Sequence, residues 1–171
     1  QDDLLVGIPV AGRSLEKGDE LVGYCTHLVP VRSRIDRQQS FVDYLVAVRG
    51  KLLRAYQHQD YPFTRLIEKL ELRRDGRRAP LVSALFNLDR PGQVPKMTGL
   101  DVGWTSQPIH FTAFDLVFNF TELEDALVLE CDYNGDLFDA STVERLVGHF
   151  HTLLNWIAAD PEACVSTLPL M

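Results

Sequence analysis

Apolar and polar positions along the chain fall into short strand-like runs and longer helical stripes. The run Leu4-Leu5-Val6-Gly7-Ile8-Pro9-Val10 is nearly all apolar and predicts a buried strand. Ala11-Gly12-Arg13-Ser14 and the charged stretch Glu16 to Glu20 predict a loop, and Leu21 to Val31 a second strand. From Gln38 to Gln57, Phe41, Tyr44, Leu45, Val48, Leu52, Ala55 and Tyr56 recur every three or four residues. That spacing puts them on one face of a helix, and Ser40 is placed to cap its N-terminus. Pro62 suits the first turn of a second helix running to about Leu72, because its missing N–H costs nothing there.

Four strands are predicted next: Leu81–Leu88, Leu100–Ser106, Phe114–Thr121 and Leu127–Tyr133. A linker, Asp89 to Thr98, separates the first two and is longer than a tight hairpin needs. In the third, Phe114, Leu116, Phe118 and Phe120 alternate with Asp115, Val117 and Asn119, so one face is apolar. Asn134-Gly135 marks a turn. The last helix spans about Ser141 to Ala159, with Val143, Leu146, Val147, Phe150, Leu153, Leu154 and Ile157 as its core stripe. Ser141 and Glu144 have capping-box spacing, and Asp160-Pro161 ends the helix. Val165 to Met171 reads as extended. The order β-β-α-α-β-β-β-β-α predicts an α/β fold, a mixed sheet with helices packed on it.

Composition narrows the function classes. The chain has 171 residues, enough for one core, and is 46% hydrophobic and 24% charged. No apolar run reaches the length of a membrane span and no signal-peptide pattern opens the chain, so a cytoplasmic location without a membrane partner is expected. With 24 acidic and 17 basic residues the net charge is −7, a field that repels nucleic acid. Arg73, Arg74, Arg77 and Arg78 form a local basic patch, read as a solvated loop. Cys25, Cys131 and Cys164 are odd in number and lack a CxxC, against a disulfide framework or zinc knuckle. Cys131 reads as a small core residue.

Four segments, Val6–Arg13, Val22–Arg32, His58–Phe63 and Arg74–Leu81, in this order along the chain, resemble condensation domains of nonribosomal peptide synthetases. Val6-Gly7-Ile8-Pro9-Val10-Ala11-Gly12-Arg13 is similar to the family's strand ending in P-V-A-G-R. Val22-Gly23-Tyr24-Cys25-Thr26-His27, continuing to Arg32, is similar to G-x-F-V-N-x-x-x-x-R. His58-Gln59-Asp60-Tyr61-Pro62-Phe63 matches H-Q-D-x-P-F. Arg74-Asp75-Gly76-Arg77-Arg78-Ala79-Pro80-Leu81 is similar to R-D-x-S-R-N-P-L. Weaker echoes are Phe114-Asp115-Leu116, Tyr133-Asn134 leading to Leu137-Phe138-Asp139, and Leu168-Pro169-Leu170.

The resemblance implies a chloramphenicol acetyltransferase-like fold, two lobes in a V with a tunnel between them. It further implies that thioesters on the phosphopantetheine arms of donor and acceptor carrier proteins meet in that tunnel, where the acceptor amine attacks and an amide forms. No bound cofactor is implied. The family's H-H-x-x-x-D-G does not occur here, and His110 with Asp115 has the wrong spacing to stand for it. The chain is therefore expected to be the later part of the C-terminal lobe, without the N-terminal catalytic lobe and inactive alone. Expected partners are the two carrier proteins, the N-terminal lobe and an adjacent adenylation domain. Self-association is expected through exposed apolar surface. The rival readings are a non-catalytic carrier-docking scaffold and a lobe of a coenzyme A-dependent acyltransferase.

For site residues, the resemblance places Tyr24, Cys25 and His27 at the tunnel, with His27 where the family usually has Asn. Cys25 and His27, two apart on the predicted strand, are expected to share a face. His58, Gln59 and Asp60 fall between two helices, which favours a role at the helix ends over catalysis. Arg32 and Asp115 read as buried-type charges holding the architecture. Pro62, Phe63, Arg74 and Asp75 complete the motif positions. Trp104 and Trp156 read as packing residues, and His149 and His151 as poor joint ligands on different helix faces.

Overall fold

A computed structural model describes residues 2–12, 20, 22–72, 79–90, 97–103, 107 and 111–167. The segment Arg73–Arg78, with Arg74 and Asp75, lies outside the described residues, as do Trp104, His110 and the Leu168–Met171 end. Five strands form one mixed sheet: β1 (Asp3–Val10), β2 (His27–Arg34), β3 (Ala84–Asp89), β4 (Leu116–Glu122) and β5 (Leu127–Tyr133). Their order is β2-β1-β3-β4-β5. The two outer pairs, β1–β2 and β4–β5, are antiparallel, and β1–β3 and β3–β4 are parallel.

Register decides which side chains share a face, because cross-strand partners point the same way. Val6 pairs with Val31 and Ala84, Phe86 with Phe118, Phe118 with Cys131, and Phe120 with Leu129. Helices α1 (Phe41–Gln57) and α3 (Ala140–Ala159) cover that apolar side. Phe150 of α3 lies 5.9 Å from Phe118 and 5.6 Å from Phe120, ring centre to ring centre, and Tyr44 of α1 bonds Ser33 Oγ of β2. Val29, Val31, Phe120 and Val143 are buried between the layers. Polar Arg32, Arg34, Asn87, Asn119 and Asp132 fall on the opposite side by the same register. There, a Cβ on Gly7 would meet side-chain carbons of Leu85, Val82 and Leu28, so only glycine fits the present packing.

Several expectations change. The second strand begins at His27, leaving Tyr24 and Cys25 in the loop before it. Ser40 caps α1 as expected, its hydroxyl accepting from the Asp43 N–H, but Leu45 is 54% exposed, because the packed stripe is narrower than the apolar one. Pro62 is the N-cap of the second helix, α2 (Phe63–Lys69), rather than part of its first turn. α2 stops at Lys69, and Glu71 has a left-handed φ of 49° that no helix can continue through.

Residues 100–103 form no strand, and Leu100 is 66% exposed, while 104–106 lie outside the described residues. Asp139 holds the N-cap position of α3 without a side-chain capping bond, and no Ser141–Glu144 box forms there, since Ser141 already lies within the helix. Leu154 and Trp156 of α3 are exposed, so Trp156 is not a packing residue. The tail is not extended at its start: Val165–Thr167 is a single 3-10 turn, closed by the Thr167 hydroxyl on the Cys164 carbonyl. Just before it, Cys164 bridges to Ser40, tying the chain's end to the start of α1. No described helix is long and apolar enough to cross a membrane.

Candidate functional site

Three of the segments singled out in the sequence meet at one end of the β1–β2 pair. Val10, the last residue of β1, stands opposite His27, the first of β2. Beyond Val10 the chain turns at Gly12, whose φ is +62°, in the left-handed region that favours glycine. A Cβ there would run into the carbonyl oxygen of Cys25 and come within 3.1 Å of His27 Cδ2. On its other side the His27 ring meets the turn between α1 and α2, with Nδ1 3.3 Å from the Gln59 carbonyl oxygen. A carbonyl only accepts, so Nδ1 carries the proton in this bond. P-V-A-G, Y-C-T-H and H-Q-D thus form one junction, although 47 positions separate Gly12 from Gln59 in the numbering.

The individual expectations fare differently. Tyr24 is 91% exposed and Cys25 half-buried, both ahead of β2, so strand alternation does not put Cys25 and His27 on one face. Cys25 enters the junction through its backbone carbonyl. His58 is the C-cap of α1: its N–H bonds the Ala55 carbonyl, and its carbonyl accepts from the Tyr61 N–H. The side chains of His58 and Asp60 are exposed, and Asp60 is engaged with a neighbour. His58 thus stands at the end of α1, with these bonds made by its backbone.

Next to the junction in sequence, residues of β2 and of the α1–α2 region line an apolar groove of about 410 Å³, among them Leu28, Pro30, Ala55, His58, Tyr61 and Phe63. Lys69 of α2 also lines it. A second hollow, about 390 Å³ between β5 and α3, is lined by Cys131, Tyr133, Val143 and Val147. Burial pushes the half-buried Cys131 thiol up, with Asp132 adding to the effect, which disfavours a thiolate nucleophile there.

Arg32 is not a buried charge. Its side chain is 64% exposed and binds Asp3 through Nη2 at 2.6 Å, while Arg34 Nε reaches the same carboxylate at 3.2 Å. Strand parity puts Arg32 on the face opposite His27, so it lies outside the junction. The Arg32 hydrogen bond, helped by Arg34 and opposed by burial, holds the Asp3 carboxyl down at about 2. Asp115 is half-buried and partnered; its backbone N–H bonds the Ser83 carbonyl and its carbonyl accepts from the Asn134 N–H, joining the starts of β3 and β4 to the end of β5. Among the described residues, no group of three or more His, Cys, Asp or Glu is placed to hold a metal ion.

Gly12 is the residue whose role the sequence left unread. Its motif pointed to it, but a glycine's close approach to a carbonyl 13 positions ahead leaves no periodic trace.

Condensation domains match residues 1–171. A linear gramicidin synthase of Brevibacillus parabrevis is 37% identical over 175 residues, which cover all of this chain and 3% of that protein. A complex of the X-domain and OxyB from teicoplanin biosynthesis contains a chain that superposes with a TM-score of 0.88 at 22% identity, over 99% of this chain and 38% of that one. A four-domain nonribosomal peptide synthetase bound to AMP and glycine gives a TM-score of 0.87 at 24% identity, over 99% of this chain and 14% of that one. The chain thus spans less than two-fifths of each of these proteins. A match along its whole length, on the same mixed sheet, shows that the chain belongs to the condensation domain family.

Proposed function

We propose that this chain is the C-terminal lobe of a peptide synthetase condensation domain and supports amide formation between a carrier-bound acyl or peptidyl donor and a carrier-bound aminoacyl acceptor. In that reaction the acceptor nitrogen attacks the donor thioester carbonyl, the new C–N bond replaces the C–S bond, and the donor arm leaves as a thiol. Such chemistry needs two arms held in register and a proton taken from the amine. This lobe supplies walls and positioning. The residues that form them are Tyr24, Cys25 and His27, with the H-Q-D turn behind.

The observation that supports this reading best is the junction of Gly12, Cys25, His27 and Gln59, where three family-like segments form one surface beside a groove. No histidine here has the paired setting of H-H-x-x-x-D-G, so the lobe alone is inactive. The test is incubation with loaded donor and acceptor carriers. The chain alone should give no amide above background, and adding the N-terminal lobe should restore it. Turnover by the chain alone overturns the assignment.

A scaffolding role is the second reading. It is favoured by the X-domain, a relative in fold that is seen in complex with OxyB. Carrier binding without turnover, even with the other lobe present, would favour it. In the condensation reading the substrates ride on phosphopantetheine arms, and the location we infer is cytoplasmic.

A further inference from the structure

The bond between His27 and Gln59 lies at a structurally sensitive place. Leu28 and Pro30, which line the groove, follow His27 directly along β2. His58 and Tyr61, which also line it, flank Gln59 in the turn. The bond therefore ties β2 to the turn that carries His58 and Tyr61. The turn is short: Gln59 N–H bonds the Tyr56 carbonyl and Tyr61 N–H the His58 carbonyl, so a displacement of Gln59 carries its neighbours with it. The ring is bonded through Nδ1 to the Gln59 oxygen, and its Cδ2 lies 3.1 Å from where a Cβ on Gly12 would stand.

We propose that His27 is a positioning residue: through Nδ1–H on the Gln59 carbonyl it fixes the α1–α2 turn against β2, and so sets the shape of the groove wall. Its effect on amide formation passes through that turn and not through a bond to the reacting atoms. The inference rests on the condensation reading given above, but its structural half can be judged separately.

The geometry of amide side chains gives the test. An asparagine Nδ2 is as many bonds from Cα as a histidine Nδ1, and a glutamine Nε2 reaches one bond further, toward the place of histidine Nε2. In the full-length synthetase, H27A should raise deuterium uptake in peptides covering residues 57–63 and lower amide turnover about five- to tenfold, the order expected for one lost hydrogen bond. H27N should restore both protection and turnover to near the parent values; H27Q should restore neither.

Glutamine rescuing turnover where asparagine does not would overturn the proposal, because Nε2 would then be the working atom. So would a loss of turnover in H27A with uptake at 57–63 unchanged, or no change in either. Should H27A unfold the lobe, the asparagine and glutamine variants decide between the two atoms by themselves. A parent synthetase that forms no amide would sink the condensation reading and leave the exchange measurement to judge the turn.

Discussion

At the β5 end of the sheet, Phe118 and Phe120 lie against Phe150, and Phe86 packs on Phe120 at 5.2 Å. At the β2 end, Gly12, His27 and Gln59 meet through one hydrogen bond and a close backbone approach. The first region is held by area: large rings share the work, and each contact is non-directional. The second is held by geometry, where a single added carbon or a lost donor changes the arrangement. Stability and positioning thus reside at different ends of one sheet, and the groove lies at the end held by geometry.

The comparison breaks first if Phe120, 4% exposed, proves dispensable. Phe120→Ala should cost about 3–5 kcal/mol in denaturant unfolding, since a buried ring is lost and its cavity cannot fully collapse. A loss near zero would mean that the aromatic cluster does not hold the β5 end.

Gly12→Ala should cost less, about 1–3 kcal/mol, through strain at a left-handed φ and the clash with the Cys25 carbonyl. Its mark should be local. Hydrogen exchange should rise around residues 24–28 and 58–61 and stay unchanged in β4 and β5. A uniform rise would show that the two ends are not independent.

Asp132→Asn tests the β5 end more gently. Burial first, then Glu130, raises the Asp132 carboxyl, while the Asn119 hydrogen bond lowers it. A raised value in the folded state means that ionisation opposes folding. The cost is absent below the unfolded value of about 3.8 and appears as pH rises through the folded value. Asn119 Nδ2 can still donate, now to an amide oxygen, so the variant should gain a little stability at pH 7, under about 0.5 kcal/mol after solvent screening. That gain should vanish at pH 3. A loss at pH 7 would contradict the sign.

The smallest effect concerns Asp3. Its carboxyl, held at about 2, lends stability above its ordinary value of 3.8 and loses it as pH falls toward 2. Arg32→Ala should move the carboxyl titration, followed by carbon NMR, back toward 3.8. An unmoved titration would show that Arg34 suffices.

Legibility in the sequence follows the same division. β5 was readable to its exact ends and α3 to within one residue, because period-two and three-four spacings run through both. The start of β2 was misplaced by six positions, because apolar Leu21 and Val22 resemble strand residues yet Val22 is fully exposed. Arg32 was misjudged as buried, since a strand's charged residue gives no sign of which face lacks helices. The motif residues themselves were readable, and His58 was rightly placed at a helix end. What they do together was not, because Gly12, Cys25, His27 and Gln59 belong to separate stretches of chain.

By itself the sequence determined the family, the mixed α/β architecture and the places of the two long helices, since hydrophobic period and motif order are local properties of a chain. Only the tertiary structure decided that the His27 ring rests on the Gln59 carbonyl and that Arg32 points away from it. Strand register fixes which side chains share a face, and register is set by contacts between residues far apart in the sequence.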